Sequence, residues 1–491
     1  MAKLQKYKSL SEQALRQLKP GIQLPNYDRR AHKTGILHLG TGAFHRAHQA
    51  VYTDEVLRQT GGDWMITGAS LFSPSTRDQL AAQDNLYSVT SHGEGTSHTR
   101  IIGSIKDVIF APQDPHALIG AMSDVGIKII SLTITEKGYQ FDPVSKDLTA
   151  SLALSSPRTA IAYLVTALAK RKRLGHPPVA ILSCDNLQHN GQVLRRAVLD
   201  LASSWDDSLA VWIEANISFP CTMVDRIVPA QASSLIAQTQ ASLGLTDQAC
   251  LATENFSQWI IEDAFPSGRP RWELAGVIFS AEVGKFETMK VRLLNGAHSA
   301  IAYLGFLAGK VTVAESMATE EIHQFVRDLM QIEVAPTIEA PQDYDLDEYI
   351  NQLIRRFGNV HLQHQCRQIA MDGSSKLPQR LLVVAEQRLN RDQNINRICL
   401  VIGAWILYNR GFNLDGVRHD VIDPMSHTLL RLTDRQSPDD WVDAYLSLRV
   451  VFSTQLSQST RFREGVVNSL KSLLTQGVST TLKQLNSGLE K

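Results

Sequence analysis

Gly35-Ile36-Leu37-His38-Leu39-Gly40-Thr41-Gly42-Ala43-Phe44-His45 is a short apolar run that ends in a glycine-bearing turn, and apolar residues at helical spacing follow it over 44–57. A strand, a glycine turn and a helix in that order make the opening of a dinucleotide-binding sheet. The turn aims backbone N–H groups and the positive end of a helix at one point, where a pyrophosphate can be held. Gly40 and Gly42 stand at the first two glycine positions of the GxGxxG fingerprint, and His45 stands at the third. A plain strand-to-helix turn would use the same residues, so the motif alone does not decide. Its place on the first strand favours a cofactor.

Further apolar runs of strand length recur at 64–71, 127–135 and 179–184, separated by helical spacing such as 160–169. This alternation predicts an α/β fold, a Rossmann-like doubly wound domain whose mainly parallel sheet carries helices on both faces. Beyond about Gly284 the pattern turns into long helical segments over 287–307, 320–330, 379–390 and 396–408. Two domains are therefore expected: residues 1–284, dinucleotide-binding with a polar leader, and 285–491, mostly α-helical. The Pro- and acid-rich stretch 339–348 reads as a loop. The basic run Lys170–Arg173 closes an amphipathic helix, where cations suit the helix dipole and face water.

The 491 residues carry 49 Lys plus Arg and 49 Asp plus Glu, so no net field exists to hold nucleic acid or an anionic membrane. A small-molecule partner is expected, and oligomeric state leaves no mark in these patterns. Cys184, Cys221, Cys250, Cys366 and Cys399 show no CxxC pair and no His-Cys metal spacing, which suits reduced thiols in a cytoplasmic protein and predicts no metal site. Residues 1–20 lack the uninterrupted apolar core of a signal peptide. The longest apolar stretch, 398–408, is too short to span a bilayer and reads as a buried helix.

Dinucleotide folds usually place an acid at the end of the second strand for the ribose hydroxyls of NAD. Here the chain reads Leu71-Phe72-Ser73-Pro74-Ser75-Thr76-Arg77-Asp78, with no acid at the strand end. Arg77 and the hydroxyls could accept the 2′-phosphate of NADP, and Asp78 could reach a ribose, so NAD and NADP both stay open.

Three polar clusters lie where such a protein would put a site. Ser183-Cys184-Asp185-Asn186 follows a strand, at the carboxyl edge where open α/β sheets bind ligands, and an Asn there can donate to a developing alkoxide. An Asx turn that stops the strand is the blander alternative. In Lys290-Val-Arg-Leu-Leu-Asn295-Gly-Ala-His298, at about 100° per residue, the Lys, Asn and His fall within an arc of roughly 140° on one helix face. Against that, Asn295-Gly296 is a turn dipeptide that could end the helix, and an exposed lysine is usually just solvated. Asp372-Gly373-Ser374-Ser375-Lys376-Leu377-Pro378-Gln379-Arg380 offers two cations for a substrate's hydroxyls or carboxylate, or is simply a turn before a Pro-started helix.

With these clusters in hand, the chain resembles the mannitol dehydrogenase family, the polyol-specific long-chain dehydrogenases, from about Gly35 to the C-terminal region. The most specific match is ISFPCTMVDRIVP at 217–229, built around Val224-Asp225-Arg226. It is supported by GTGAFHRAH at 40–48, SLTITEKGY at 131–139, SCDN at 183–186, GRP at 268–270 and KVRLLNGAH at 290–298. The resemblance implies metal-independent hydride transfer between a secondary alcohol carbon and NAD, NADP not being excluded. Lys290 would be the general base, Asn186 and Asn295 would hold the reacting oxygen, and His298 would orient the substrate. Asp225 would support the site and Glu136 would gate a proton path. Gly40, Thr41, Gly42, Ala43, Phe44, Arg46 and Thr135 would bind the cofactor. A lysine of ordinary pKa, about 10, is protonated at neutral pH, so the base role requires burial or a cationic neighbour.

Within the family the resemblance is nearest to the fructuronate reductase group, which interconverts D-mannonate and D-fructuronate. FPCTMVDRIVPA at 219–230, TEKGY at 135–139 and QIAMDGSSKLPQR at 368–380 carry it. A sugar acid needs a cation for its carboxylate, and Lys376, Arg380 and Arg367 are candidates. LPNYDRR at 24–30 looks more like the mannitol 2-dehydrogenases, which act on mannitol and fructose.

Overall fold

The computed structural model describes residues 7–93, 95–139, 156–229, 231, 233–434 and 437–488, without the side chains of Glu136, Lys137 and Ser233. The chain forms two compact units, Met1–Gly284 and Lys285–Lys491.

In the first unit, β1 (Thr34–Leu39), β2 (Met65–Ser70), β3 (Ile105–Phe110), β4 (Ile129–Leu132) and β5 (Ala180–Ser183) form one parallel sheet in the order β3-β2-β1-β4-β5. Successive side chains feed two separate cores. Leu37, Ile130 and Ile181 pack with the helices Pro115–Ser123, Ala160–Leu174 and Asn190–Trp205, whereas Ile36, Ile129 and Leu182 pack on the opposite face with Ala50, Trp259 and Trp272. A strand buried on both faces must be apolar at every position, which is why these segments read as continuous runs. The chain reverses its direction of winding between β1 and β4, the switch point at which such sheets bind ligands.

Two three-stranded sheets flank this core among the described residues, Ser97–Ile102 with Tyr87–His92 and Leu251–Glu254, and Ile278–Phe279 with Gln258–Ile261 and Thr222–Asp225. The helix expected over 44–57 is interrupted at His48 (φ −124°, ψ −93°), whose buried ring bonds through Nε2 to the Gln258 carbonyl at 3.1 Å. The basic helix end also departs from expectation. Arg171 is fully buried and bonds to the carbonyls of Met122, Asp124, Ile127 and Pro177, so it ties two helices together instead of facing water.

The second unit is helical. Asn396–Tyr408 is buried almost throughout and packs against Thr460–Ser487. Its first turn is capped from afar: the carboxylate of Glu333 accepts from the amides of Arg397 (2.8 Å) and Ile398 (3.0 Å). The acid-rich stretch predicted as a loop already contains a helix start, Leu346–Phe357, for which the Asp345 side chain accepts from the amides of Asp347 and Glu348. Acids are favourable there because they oppose the positive helix end. Three of the predicted helices contain π-helical turns, at Lys290–Asn295, Leu329–Val334 and Pro378–Leu382. Among the described residues no helix is long and apolar enough to cross a membrane, and no disulfide joins any of the five cysteines.

Candidate active site

The glycine turn is tied to both neighbouring strands. Gly40 donates to the Ala69 carbonyl at the end of β2 (2.8 Å), and its own carbonyl accepts from the Thr133 hydroxyl beyond β4 (2.8 Å) and from the Gly42 amide (2.6 Å). Gly40 sits at φ +91°, and a Cβ there would lie 2.1 Å from the Thr133 carbonyl oxygen, so no other residue fits. Gly42 differs: its φ is −80°, and an added Cβ would meet only the Gly40 oxygen at 3.8 Å, so its bare backbone leaves space for a ligand. The Thr41 side chain is buried against Gly68, and its amide donates to the Ala69 carbonyl at 3.4 Å. Ala43 and Phe44 begin the helix that leaves the turn. These features fit a dinucleotide, with a pyrophosphate approaching over Gly42.

His45 fills the third glycine position by stacking on His38, with ring centroids 3.5 Å apart, and burial holds both imidazoles far below the ordinary histidine range. Arg46 is not brought to the turn. Its guanidinium is buried, bonds to the Ala249 carbonyl at 2.6 Å and lies over the Tyr87 ring, where it supports a flanking sheet. At the end of β2, Arg77 is held by Asp78 (2.5 Å) and Gln113 (3.0 Å).

At the carboxyl end of β5, Asn186 is exposed. The residue before it does more structural work than the sequence suggested. The buried Asp185 carboxylate accepts from the amides of Ile134 (3.0 Å) and Thr135 (2.9 Å) and from the Tyr139 hydroxyl (2.5 Å). Burial, reinforced by this carboxylate, pushes the Tyr139 phenol far above its usual range. Thr135 takes a left-handed backbone conformation (φ +64°), a strained state that persists because its amide is held in this way. The Glu136 side chain lies outside the described residues. Asn190 secures the turn itself: it donates to the Ser183, Asp185 and Thr222 carbonyls and accepts from the Thr222 amide. Nothing in local sequence marked Asp185 or Asn190 as more than ordinary turn and helix-start residues.

Asp225 ends the strand Thr222–Asp225 and is buried. Arg226 beside it reaches across 179 positions of sequence to the Ala47 carbonyl (2.5 Å) and also bonds to the Glu254 carbonyl. The Val-Asp-Arg motif therefore fastens this strand to the helix that leaves the glycine turn.

In the second unit, the helix does not end at Asn295-Gly296. Gly296 is helical (φ −63°, ψ −50°), and the segment Lys290–Asn295 is a π-helical turn between Val283–Met289 and Gly296–Leu307. A π turn closes i→i+5, so Lys290 and Asn295 stand one above the other, and His298 follows within the next α-helical turn. Uniform α-helical spacing had placed the three on one broad face; the π turn narrows it. Lys290, Asn295 and His298 are all buried.

A second π turn, Pro378–Leu382, packs against the first. Its Arg380 donates to the Asn295 carbonyl (3.2 Å) and the Ser299 hydroxyl (3.0 Å). Burial, with His364, Arg356, Arg380 and Lys290 adding to it, holds the His298 imidazole well below its ordinary range, so the ring is neutral. Its Nε2 is buried without a hydrogen-bond partner, the state expected of a group kept for a ligand. His364 meets His298 edge to face at 5.5 Å. No sequence signal singled it out, because it lies 66 positions further along.

Lys376 donates to the Met371 carbonyl (2.6 Å) and stands 3.7 Å from Asp372, in the short helix Gly373–Leu377 that runs directly into the π turn of Arg380. Arg367 is exposed, and its charge acts on Tyr408 and His419. The structure therefore brings Arg380 to the Lys290 face and leaves Arg367 elsewhere. Among the described residues no group of three or more His, Cys, Asp or Glu side chains is arranged to hold a metal ion.

Residues 34–274 match the family model described as the mannitol dehydrogenase Rossmann domain, and 282–474 match the mannitol dehydrogenase C-terminal domain. The chain is 39% identical over 468 residues to D-mannonate oxidoreductase of Escherichia coli (strain K12), covering 93% of this chain and 96% of that protein. It is 37% identical over 490 residues to mannitol 2-dehydrogenase of Phaeosphaeria nodorum, covering 97% and 85%. Among solved structures, Pseudomonas fluorescens mannitol 2-dehydrogenase in ternary complex with NAD and D-mannitol superposes with a TM-score of 0.88 at 36% identity, over 98% of this chain and 100% of that one.

Proposed function

Because this chain belongs to the mannitol dehydrogenase family, and is an oxidoreductase of secondary alcohols, we propose that it interconverts D-mannonate and D-fructuronate with Lys290 as general base. The observation that carries the sugar-acid reading is the guanidinium of Arg380 against the Asn295 and Ser299 face, beside the unpartnered Nε2 of His298. A carboxylate on the substrate requires such a cation; a neutral polyol does not. The coenzyme is NAD, which when bound supplies the nicotinamide ring that exchanges hydride with the carbinol carbon.

The chain's own groups handle the oxygen and its proton. Lys290 is buried, the environment a lysine base requires, and takes the hydroxyl proton on oxidation or returns it on reduction. Asn295 and Asn186 donate amide hydrogens to that oxygen and stabilise its developing negative charge. Neutral His298 orients a neighbouring hydroxyl through Nε2, and Arg380 and Lys376 receive the carboxylate. Mannitol and fructose are the second reading, favoured by the likeness to mannitol 2-dehydrogenases over nearly the whole chain.

The test is a spectrophotometric panel of fructuronate, tagaturonate and fructose, each with NADH and NADPH. Turnover of fructuronate with the highest kcat/KM is expected, and activity on fructose alone refutes the sugar-acid assignment. Lys290→Ala should lose several orders of magnitude in kcat while NADH still binds with its original Kd. Near-normal turnover by that variant refutes the base.

A further inference from the structure

We propose that the hairpin after the buried helix Asn396–Tyr408 forms a binding site for a phosphate group, outside the catalytic face, and that its occupancy bears on the short helix Gly373–Leu377 that carries Lys376. A cavity of about 300 Å³ opens here, lined by Arg410, Arg418, His419 and His427, with Ser426 and Asp420 at its edge. Its volume suits a phosphate or small phosphorylated sugar and excludes a dinucleotide.

The hairpin is well constructed. Phe412 pairs with Arg418, the Asn413 side chain accepts from the amides of Asp415 (3.1 Å) and Val417 (2.8 Å), and the His419 amide donates to the Gly411 carbonyl (2.8 Å). Together these bonds return Arg418 and His419 to the helix end beside Arg410.

His419 is the unusual member. It is 8% exposed and lies between Phe306 and Tyr408, each ring centroid 4.5 Å away, and neither Nδ1 nor Nε2 has a hydrogen-bond partner of acceptable geometry. Burial holds the imidazole neutral, against the opposing pull of the Tyr408 backbone. A neutral ring still carries one N–H, and the Tyr408 backbone is too poorly aligned to form a hydrogen bond with it, a shortfall in a buried place that a ligand oxygen makes good. Arg410 lies over the Trp441 ring, and among the described residues neither it nor Arg418 joins an ion pair. Two guanidinium groups, an imidazole donor and a hydroxyl match the acceptor-rich surface of a phosphate, for which planar multidentate donors are suited. The Asp420 carboxylate is exposed and next in the chain, and it disfavours an anion that sits far out on the rim.

The hairpin continues directly into contacts with the start of the helix Gly373–Leu377 that carries Lys376. Asp372 donates its amide to the Ile422 carbonyl (3.0 Å), and Asp423 accepts from the Ser374 amide (2.9 Å) and hydroxyl (2.6 Å). Lys376 follows two residues later. A ligand that fixes Arg418 and His419 thereby fixes the support of Lys376, and should lower KM for a substrate whose carboxylate Lys376 receives. This second half rests on the reading given under the proposed function; the binding itself does not.

The experiment uses the full chain with saturating NADH, so that the glycine turn is already filled. Inorganic phosphate and fructose 6-phosphate are added in parallel arms, against sodium chloride and sodium acetate of equal ionic strength. Thermal unfolding should rise by about 2–4 °C in one or both phosphate arms only; the arm with the lower half-saturation identifies free phosphate or a phosphorylated sugar as the ligand. Arg418→Gln, an exposed position whose own Tm reports any loss of fold, should abolish the shift, as should His419→Phe. No shift beyond the salt controls, or an undiminished shift in Arg418→Gln, overturns the site. KM should fall at least twofold with ligand in the parent and stay constant in Arg418→Gln. A bound ligand with an unaltered KM overturns the coupling to Lys376. If no sugar is turned over at all, the proposed substrate fails while the Tm comparison still decides the site.

Discussion

Replacing Asp185 by Asn tests whether a carboxylate, and not merely a polar turn residue, holds the segment from Ile134 to Tyr139. The native carboxylate accepts from two backbone amides and one phenol at 2.5–3.0 Å. An amide of the same shape keeps one acceptor oxygen but turns its NH₂ group toward a donor that previously met the other oxygen. One hydrogen bond to a charged acceptor, worth about 1.5–3 kcal/mol, is lost, and a buried donor left facing another donor adds about 1–3 kcal/mol more. Taken together, about 3–5 kcal/mol of local stability should disappear, partly relieved by the release of Thr135 from its left-handed conformation. Each 1.4 kcal/mol is a factor of ten, so opening of this segment should become about a hundred- to a thousandfold more frequent.

Hydrogen exchange under native conditions reads this directly. The amides of Ile134 and Thr135 should exchange faster by two to three orders of magnitude, while those in β1 and β2 stay unchanged. If exchange at these two amides rises less than tenfold, the carboxylate is not what holds the segment. If the whole first unit exchanges faster, Asp185 supports the sheet and not the turn.

The two glycines of the turn should separate cleanly: Gly40→Ala, whose Cβ would lie 2.1 Å from a carbonyl oxygen, should lower Tm by several degrees, whereas Gly42→Ala, at 3.8 Å from its nearest atom, should keep Tm and raise the coenzyme Kd tenfold or more. Equal effects on Tm would contradict the geometry. Burial holds His364 down at about 4 and His38 at about 3, so below the unfolded value, about 6.5, the unfolded chain takes up protons that the folded chain cannot. Stability therefore falls as pH falls, by about 2 kcal/mol per histidine between pH 7 and 5, and His364→Gln should shrink the drop measured by urea unfolding by that amount. A drop of unchanged size would refute the assignment. Glu333→Ala leaves the buried amides of Arg397 and Ile398 without their acceptor and takes one of two carboxylates from the buried Arg397 guanidinium, which keeps Asp328, and should destabilise the second unit by about 3–5 kcal/mol in chemical denaturation; a loss under 1 kcal/mol would show that neither amide depends on Glu333.

The sequence by itself determined the fold class and the chemistry-bearing residue types. Strands buried on both faces must be apolar without interruption, a glycine held at φ +91° has no substitute, and helical periodicity survives in the second half because one face must be covered. Those constraints act within a few residues, so they are legible locally. Only the tertiary structure decided which side chains meet. Sequence put Arg46 at the cofactor and Arg367 and Arg380 at a substrate carboxylate, yet the first is locked in the interior, the second faces outward, and the third reaches Asn295 across 85 positions. A uniform helical angle carries Lys290 to His298 over a broad arc, whereas the chain makes a π turn there that packs against a second π turn some ninety residues away. The parts played by Asp185, Asn190 and His364 are not legible in the sequence, because a buried hydrogen bond or ring contact between distant segments leaves no periodicity and no local composition by which to find it.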